Sequence, residues 1–345
     1  MRPVLPALAR HPRATRAGLA ITAIVVFILV PQVTNDFYLS IAQSVVIFGL
    51  LAMSLDMLAG YTGLVSLGHA AFFGISAYVL AYTMNHGAGP LTAALIGLAA
   101  TLAMAALLGV LAIRVKSIAF VMLTLAIGQI AFGLAVRWTD VTGGDNGLAV
   151  PSRPSFVPGA IDYYYATLVV LVVCAIVMRL IVGSPFGLTL RGVRDNEERM
   201  RSLGYTVALH KYLAFVISAF FAGIAGVLFA FFNLYMSPSA IDFQHNALVV
   251  LMTFTGGLGT LWGALVGSGI VVFFQQWLSI HTPRWITFLG IFFILTVLFA
   301  RRGVYGSARY AIRRRLDQLS GRPPLDRHGV HALPQEDVAL QEADV

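Results

Sequence analysis

The sequence contains few charged residues and a single cysteine. Charged residues make up 11% of the 345 residues, whereas a soluble globular protein carries about 25%. Hydrophobic residues make up 58%, and the mean hydropathy is +0.83. This composition excludes a soluble enzyme, a disordered protein and a disulfide-rich secreted domain. Cys174 lies in an apolar run, so an internal disulfide is impossible and a cysteine metal site is not expected.

Sequence motifs typical of nucleotide-binding and metal-binding sites are also missing. The phosphate-binding pattern G-x-x-x-x-G-K-[ST] does not occur, because Val115 precedes Lys116 where the pattern requires glycine. The eight histidines show no paired spacing typical of metal ligands. We therefore expect no catalytic residue, no metal and no cofactor in this chain. Hydrolysis of ATP would require another protein.

Acidic residues within the apolar runs are rare, and Asp56 is the clearest. An ion-coupled secondary transporter commonly has buried carboxylates along its path. A membrane-embedded enzyme needs acid, base or metal residues clustered at one depth. The sequence disfavours both classes. The net charge of +8 comes from basic residues at the two ends and in one central loop, which suits a membrane protein better than nucleic-acid binding.

Apolar runs account for most of the chain. Most approach the ~20 residues that a spanning helix needs. The sequence therefore predicts an all-α, polytopic inner-membrane protein with about ten transmembrane or re-entrant helices. The stretch 247–279 is too long for one span and is interrupted by glycines, which predicts two short helices that either cross separately or form a re-entrant hairpin. The runs are 17–30, 38–59, 64–84, 91–113, 117–138, 163–183, 212–235, 247–254, 261–279 and 285–300.

Lysine and arginine in the short loops predict the orientation. Alternating the runs places the N-terminal arginines, the central loop and the pair Arg301 and Arg302 in the cytoplasm. Both termini are then cytoplasmic, and 139–162 lies outside. A signal peptide is the alternative for 17–30, but further membrane runs follow it, which favours a retained helix. The predicted divisions are a basic N-terminus 1–16, a membrane domain 17–305 with a cytoplasmic loop 184–211, and a basic, then polar and disordered tail 306–345.

Small residues recur at every fourth position in three segments. Such stripes let helix backbones approach closely in lipid. They predict packing within one subunit or, alternatively, contact between one stripe and a partner subunit. The stripes are Ala93, Gly97, Thr101, Ala105 and Gly109, then Ser218, Ala222, Gly226 and Ala230, and finally Gly259, Gly263 and Gly267.

A glycine-rich break follows the run 38–59. Gly60, Gly63 and Gly68 relax the backbone there, and Asp56 and His69 flank it. Irregular backbone at membrane depth is tolerated only where it is buried in protein or lines a cavity. One interpretation is a tight turn with His69 hydrogen-bonded to a neighbouring helix. The other is a gate or part of the translocation path, to which the glycines of the interrupted stretch also belong, namely Gly256, Gly257 and Gly259.

A second turn-rich segment is predicted to lie outside. Its residue types favour tight turns. It is interpreted either as a surface turn or as a contact for substrate access or for a binding protein, with Asp145 as a counter-charge near the mouth. The residues are Gly143, Gly144, Asp145, Asn146 and Gly147.

Four segments together resemble the permease subunits of branched-chain amino acid ABC importers. They are GYTGLVSLGHAAFFG at 60–74, TGGDNGL at 142–148, FGLTLRGVRDNEERMRSLGY at 186–205 and GGLGTLWG at 256–263. Their order and spacing cover roughly residues 40–305, and the first and third are specific. The resemblance implies an ABC importer permease paired with a second homologous permease subunit, two cytoplasmic ATP-binding subunits and a periplasmic substrate-binding protein.

The central loop carries both charge signs on a predicted helix that Gly204 closes. A solvated helix is the plain interpretation. Its length, its internal side and the resemblance favour a helix that docks an ATP-binding subunit. The residues expected to form this ATPase-coupling loop are Arg191, Arg194, Asp195, Glu197, Glu198, Arg199 and Gly204.

The resemblance implies import of leucine, isoleucine or valine across a bacterial inner membrane. This chain would form half of the pore and perform no covalent chemistry, with ATP bound by its partners. Its surroundings would be membrane lipid, and no nucleic acid is expected. A urea or short-amide importer of the same architecture is the alternative.

Overall fold

The computed structural model of this protein describes residues 35–115, 117–155, 157–299 and 303–307. The predicted N-terminus 1–16, the helix 17–30, Arg301 and Arg302, and the tail from residue 308 onward lie outside the described residues. The helices are α1 (Asp36–Thr62), α2 (His69–Asn85), α3 (Pro90–Ala112), α4 (Ser117–Arg137), α5 (Thr139–Thr142), α6 (Ala160–Gly183), α7 (Pro185–Asp195), α8 (Glu197–Ser202), α9 (Val207–Asn233), α10 (Phe243–Gly256), α11 (Trp262–His281) and α12 (Trp285–Phe299). Strands β1 (Leu148–Ala149) and β2 (Tyr235–Met236) pair antiparallel, with Leu148 opposite Met236, and short 3₁₀ turns span Gly144–Asn146 and Pro238–Ile241.

Six of the described helices, α1, α3, α4, α6, α9 and α11, are long and apolar enough to cross a membrane. Their lengths of 20–27 residues correspond to about 30–40 Å at 1.5 Å per residue. Helices α2, α10 and α12 are shorter, with 17, 14 and 15 residues. These elements follow the predicted apolar runs, and the prediction of an all-α, polytopic membrane protein is confirmed.

Helix α1 lies at the centre of the membrane domain. In its most apolar window 83% of the residues are buried, compared with 22% in α3 and 28% in α4. It contacts α6, α9, α10 and α11. A helix that is hydrophobic all round is expected to be enclosed by other helices, and α1 meets this expectation.

The small-residue stripes of α3 and α9 pack within this chain. A Cβ atom at Gly97 would lie 2.6 Å from the carbonyl oxygen of Ser76 in α2, and Gly226 packs directly against the carbonyl of Phe73. Thr101 is fully buried against Gly223. The backbones of α2, α3 and α9 therefore approach closely at these positions. Of the two interpretations, packing within one subunit is the one that the structure supports for these stripes.

The interrupted stretch 247–279 forms a helical hairpin. Gly256 of α10 packs against Gly263 of α11, and Gly267 packs against the carbonyl of Met252, so the two helices run antiparallel. The 14 residues of α10 span only about 21 Å, less than the ~30 Å of a hydrocarbon core. The chain before α10 therefore runs through the bundle as β2 and a 3₁₀ turn, where Ile241 packs against Gly74 within α2.

Candidate functional site

Helices α7 and α8 form an ordered loop beside the last turn of α1, and we call this the loop end of the bundle. Pro185 occupies the first turn of α7, and the side chain of Asn196 caps α8 by accepting a hydrogen bond of 2.9 Å from the backbone N–H of Arg199. Leu190 and Val193 are buried beneath α7. The loop is thus anchored by its apolar side and leaves its charged side uncovered.

The predicted coupling residues of α7 and α8 fall into two groups. The carboxylate of Glu197 forms ion pairs with Lys211 at 2.6 Å and Arg201 at 3.0 Å. Its charge is therefore compensated within this chain. Arg194, Asp195, Glu198 and Arg199 are exposed. Arg194 and Asp195 form an ion pair with each other at 3.2 Å, whereas Glu198 and Arg199 are open to a partner protein.

Gly204 closes the loop after α8 in a left-handed conformation. Its φ is +87°, a value that side chains other than glycine rarely adopt. A Cβ atom there would meet nothing within 4 Å. Glycine is therefore required by the backbone conformation and not by a lack of space for a side chain. The turn aims the chain into α9.

Two arginines of α7 fix the loop to α1. Arg194 Nη1 donates a hydrogen bond of 2.5 Å to the carbonyl oxygen of Gly60, and its aliphatic stem covers Gly63, whose φ is +77°. The guanidinium of Arg191 lies 5.1 Å from the centre of the Tyr61 ring, within the range of a cation–π interaction. A displacement of α7 would therefore act directly on the last turn of α1.

Asp56, one turn before Gly60, holds the turn of the helical hairpin. Its Oδ1 accepts a hydrogen bond of 2.6 Å from the backbone N–H of Gly259, and its Oδ2 accepts one of 2.8 Å from the N–H of Leu261. The Asp56 side chain is fully buried. A buried carboxylate is stable only when hydrogen bonds or charges compensate it, and here backbone donors do so. We call this arrangement the Asp56 clamp.

The clamp depends on close backbone approach and an unusual turn. A Cβ atom at Gly60 would collide with the N–H of Gly259 and lie 2.5 Å from Asp56 Oδ1. Gly257 and Gly259 have φ of +106° and +77°, and Leu261 is one of the two described non-glycine residues with positive φ, at +48°. The predicted gate candidates Asp56, Gly60, Gly257 and Gly259 are thus brought together with Arg194.

His69 lies at the start of α2 and joins three helices. Its Nε2 is 3.1 Å from Ser54 Oγ in α1 and 3.0 Å from Ser218 Oγ in α9. Ser218 also donates a hydrogen bond of 2.5 Å to the carbonyl oxygen of Ser54. Hydrogen bonding to neighbouring helices is what the plain interpretation of His69 predicted. Its membership of a gate stays a prediction.

Neighbouring helices hold the backbone break before α2. Gly68 packs directly against the carbonyl of Thr124 in α4, and the Thr124 hydroxyl accepts a hydrogen bond of 3.1 Å from the N–H of Leu67. The side chain of Asn246 in α10 accepts one of 2.9 Å from the N–H of Ala70. Gly68 at the start of α2 is thus buried against protein, as irregular backbone at membrane depth requires, whereas Gly63 at the end of α1 is exposed.

The turn-rich segment 143–147 lies at the opposite end of the bundle. Gly143, Gly144 and Gly147 all have positive φ, and Tyr235 of β2 donates a hydrogen bond to the carbonyl oxygen of Asn146. Asp145 is exposed. The segment is thus fixed beside β2, close to the cavity described next. Its contact with substrate or a binding protein stays a prediction.

A cavity of about 380 Å³ opens among α1, α9, α10, α11 and the chain that joins α9 to α10. Its lining combines aromatic side chains such as Phe48 and Phe229, aliphatic side chains such as Met252 and polar side chains such as Gln275 and His245. Mixed linings of this kind are typical of small-molecule sites. The described residues include no group of three or more His, Cys, Asp or Glu side chains that could hold a metal.

One acid–histidine pair lies at this cavity. Asp242 caps α10, and its Oδ1 accepts hydrogen bonds from the backbone N–H of His245 at 2.8 Å and from the ring Nδ1 at 3.1 Å. The His245 ring stacks on Phe48 at 6.4 Å between centres. The pair is fixed in orientation before any ligand arrives.

Sequence reasoning missed the cavity and the Asp242–His245 pair. The local pattern, Asp242 followed three residues later by His245 and preceded by Pro238, is a helix start inside an otherwise apolar region. A helix that begins there predicts half-buried polar side chains. That signal was available, but the convergence of four helices on one space depends on tertiary packing.

Comparison with known proteins matches the family model described as branched-chain amino acid transport system, permease component, over residues 37–300. The chain is 26% identical over 327 residues to the high-affinity branched-chain amino acid transport system permease protein LivM of Salmonella typhimurium, covering 86% of this chain and 77% of that protein. It is also 26% identical over 308 residues to LivM of Escherichia coli, covering 81% and 72%.

Another relative is named for a different substrate. The autoinducer 2 import system permease protein LsrC of Salmonella paratyphi B is 26% identical over 268 residues, covering 73% of this chain and 75% of that protein. No solved structure matches the chain. Because the family model spans nearly the whole described membrane domain, from α1 to α12, the chain belongs to the permease component family of branched-chain amino acid transport systems.

Proposed function

We propose that this permease moves leucine, isoleucine and valine into the cytoplasm across a bacterial inner membrane as part of an ABC importer. The LivM relatives, which are named for branched-chain amino acid transport, support this assignment. The described residues offer a cavity and a loop of ordered, exposed charges but no phosphate-binding pattern. In the proposal, partner subunits bind and hydrolyse ATP, and this chain supplies half of the path.

The proposed assembly contains a second homologous permease subunit, two cytoplasmic ATP-binding subunits and a periplasmic substrate-binding protein. The loop end of the bundle faces the cytoplasm, together with both termini, because the basic residues of the central loop lie there. The cavity then opens toward the periplasm, where a binding protein would release substrate. The segment 143–147 lies on that side and is available for its contact.

The observation that carries the proposal is the continuous linkage from the loop to the cavity. Exposed charges on α8 are available to an ATP-binding subunit, Arg194 links α7 to Gly60, and Asp56 links α1 to the turn of the hairpin. The α10–α11 hairpin in turn lines the cavity through Met252 and Val272. Closure of the ATP-binding subunits would thus shift α1 and the hairpin together.

Reconstitution tests this function. The permease, its permease partner, the ATP-binding subunits and the binding protein are placed in liposomes, and uptake of labelled leucine is measured with and without ATP. We expect uptake to require every component and ATP. Uptake by this permease alone, driven by a proton or sodium gradient, would contradict the proposal.

The second candidate is import of urea or a short amide. The amide side chains of Asn233, Gln275 and Gln276 that line the cavity suit hydrogen bonding to such a ligand. Competition separates the two candidates. Under the first candidate labelled valine is taken up and excess leucine, but not excess urea or acetamide, suppresses that uptake. Under the second candidate labelled urea or acetamide is taken up and labelled valine is not.

A further inference from the structure

The cavity between α1, α9, α10 and α11 is a site for which the comparisons offer no assignment. Its volume of about 380 Å³ falls in the range of about 300–1,000 Å³ that is common for small-molecule sites. We infer that the cavity is a selective subsite of the permease itself, which holds a net-neutral amino acid by its polar head at His245 and by its aliphatic side chain on the Phe48–Phe229 wall. This inference rests on the proposed function.

The charge of the lining selects for a neutral ligand. Among the described residues that line the cavity, none is Lys, Arg, Asp or Glu. A ligand with a net charge would lose hydration there without meeting a counter-charge in the lining, since the carboxylate of Asp242 lies behind the ring and is already engaged by His245. A zwitterion has no net charge, and its two charged ends can be met separately by polar groups. The uncharged Asn233, Gln275 and Gln276 in the lining supply such groups.

His245 is oriented to take one charged end. Its Nδ1 and its backbone N–H are both engaged by Asp242, and no described residue forms a hydrogen bond with its Nε2. In the neutral ring with Nδ1–H donated to Asp242, Nε2 accepts a hydrogen bond from an ammonium group. In the protonated ring, Nε2–H donates to a carboxylate. Each state matches one end of an amino acid, and the carboxylate behind the ring fixes its direction.

The apolar wall is adjacent to His245 and suits an aliphatic side chain. Phe48 stacks on His245, and its ring centre is 5.9 Å from that of Phe229. Leu248, Met252 and Val272 complete the apolar lining. In an apolar pocket one methylene changes discrimination by about 10- to 200-fold. A change in wall volume should therefore alter the choice between leucine and valine.

The test uses the complete transporter in liposomes with the binding protein saturated by an equal mixture of ³H-leucine and ¹⁴C-valine. Ser44 lies on α1 at the cavity, and its hydroxyl bonds only to the carbonyl oxygen of Ser40 in its own helix. Ser44→Phe therefore reduces the cavity volume and leaves the Asp242–His245 pair in place. We expect the leucine-to-valine uptake ratio to fall about tenfold. This ratio does not depend on how much of the variant folds.

A second variant tests the polar end. His245→Asn keeps an amide near the position of Nδ1 but lacks the atom that corresponds to Nε2. We expect uptake of both amino acids to fall at least tenfold while ATP hydrolysis stimulated by the loaded binding protein continues. The matched control is His86→Asn, because His86 lies at the same end of the bundle against Tyr82, outside the cavity lining. We expect the control to leave both measurements within twofold of wild type.

The outcomes separate this inference from the function on which it rests. If the wild-type complex takes up neither leucine nor valine, the proposed function is wrong. If the wild type transports both, an unchanged ratio in Ser44→Phe together with undiminished uptake in His245→Asn overturns the subsite. Equal loss of both amino acids in Ser44→Phe, with ATP hydrolysis intact, also counts against it, because a selective wall predicts unequal loss.

Discussion

Replacing Asp56 by asparagine removes one acceptor from the Asp56 clamp and is expected to weaken the fold and the transport cycle together. The carboxylate accepts one hydrogen bond at each oxygen, at 2.6 Å from Gly259 and 2.8 Å from Leu261. Asparagine offers one oxygen, and its NH₂ group faces the remaining backbone donor. One buried N–H is then left without a partner.

The size of the effect follows from these two contacts. A buried donor left unsatisfied costs about 1–3 kcal/mol, and removal of a buried charge offsets part of that cost. We expect a net loss of about 1–2 kcal/mol. For a chain of 345 residues, an unfolding entropy of about 2.1 cal/mol/K per residue means that 1 kcal/mol shifts the melting temperature by about 1.4 °C, so a decrease of about 1.4–2.8 °C is expected. Asp56→Ala removes both acceptors and should cost about 2–5 kcal/mol.

Thermal unfolding of the purified complex and ATP-driven uptake of leucine are the two measurements. Asp36→Asn is the matched control, because Asp36 is an exposed acid in the first turn of the same helix. Its expected effect is below about 1 kcal/mol, through the helix dipole alone. The reasoning is refuted if Asp56→Asn melts within 1 °C of the control and transports at the wild-type rate.

Three further predictions concern the loop and its orientation. In a Cys174→Ser background, Ser202→Cys should resist a membrane-impermeant thiol reagent added outside intact cells, whereas Ser155→Cys should react; labelling of the former would overturn the proposed orientation. Glu198→Lys should reduce co-purification of the ATP-binding subunits at least fivefold without changing the melting temperature, and full co-purification would show that this exposed charge is not at the interface. Gly204→Val should destabilise the loop by about 1–2 kcal/mol, because a β-branched residue is strained at φ of +87°, and uptake by the variant should fall; unchanged uptake would mean that the turn does not aim the loop.

Hydrophobicity sufficed to predict the helices. Lipid-facing segments must be apolar and must satisfy their backbone internally, so run length translates directly into helix length. The result is close for α4, predicted at 117–138 and observed at Ser117–Arg137. The prediction from hydrophobicity fails where tertiary contacts override the local sequence pattern. No structure was predicted for the stretch that precedes α10, yet this stretch carries Asp242 into the bundle.

The sequence predicted some residues of the candidate site but not which groups they contact. An acid at membrane depth requires a compensating group, so Asp56 was identifiable from the sequence alone. Its partner, the backbone of Gly259, lies 203 residues away, and a backbone donor leaves no mark on the amino-acid sequence. For Glu197 the sequence did not reveal the partners within this chain. This residue was predicted as a docking residue together with Glu198, but Lys211 and Arg201 already engage it, which is why the docking test uses Glu198 alone.

The two carboxylates at the ends of the α10 segment explain how a short helix can connect the loop to the cavity. Asp242 caps its first turn at the cavity, and Asp56 binds the turn that follows its last residue. With both ends fixed, the 14-residue helix is too short to bend appreciably, so it moves as one body. A tilt imposed at Asp56 therefore displaces His245, about 21 Å along the helix axis at most. In the proposed importer, movement of the ATP-binding subunits and a change in the shape of the cavity would then be two ends of one rigid displacement.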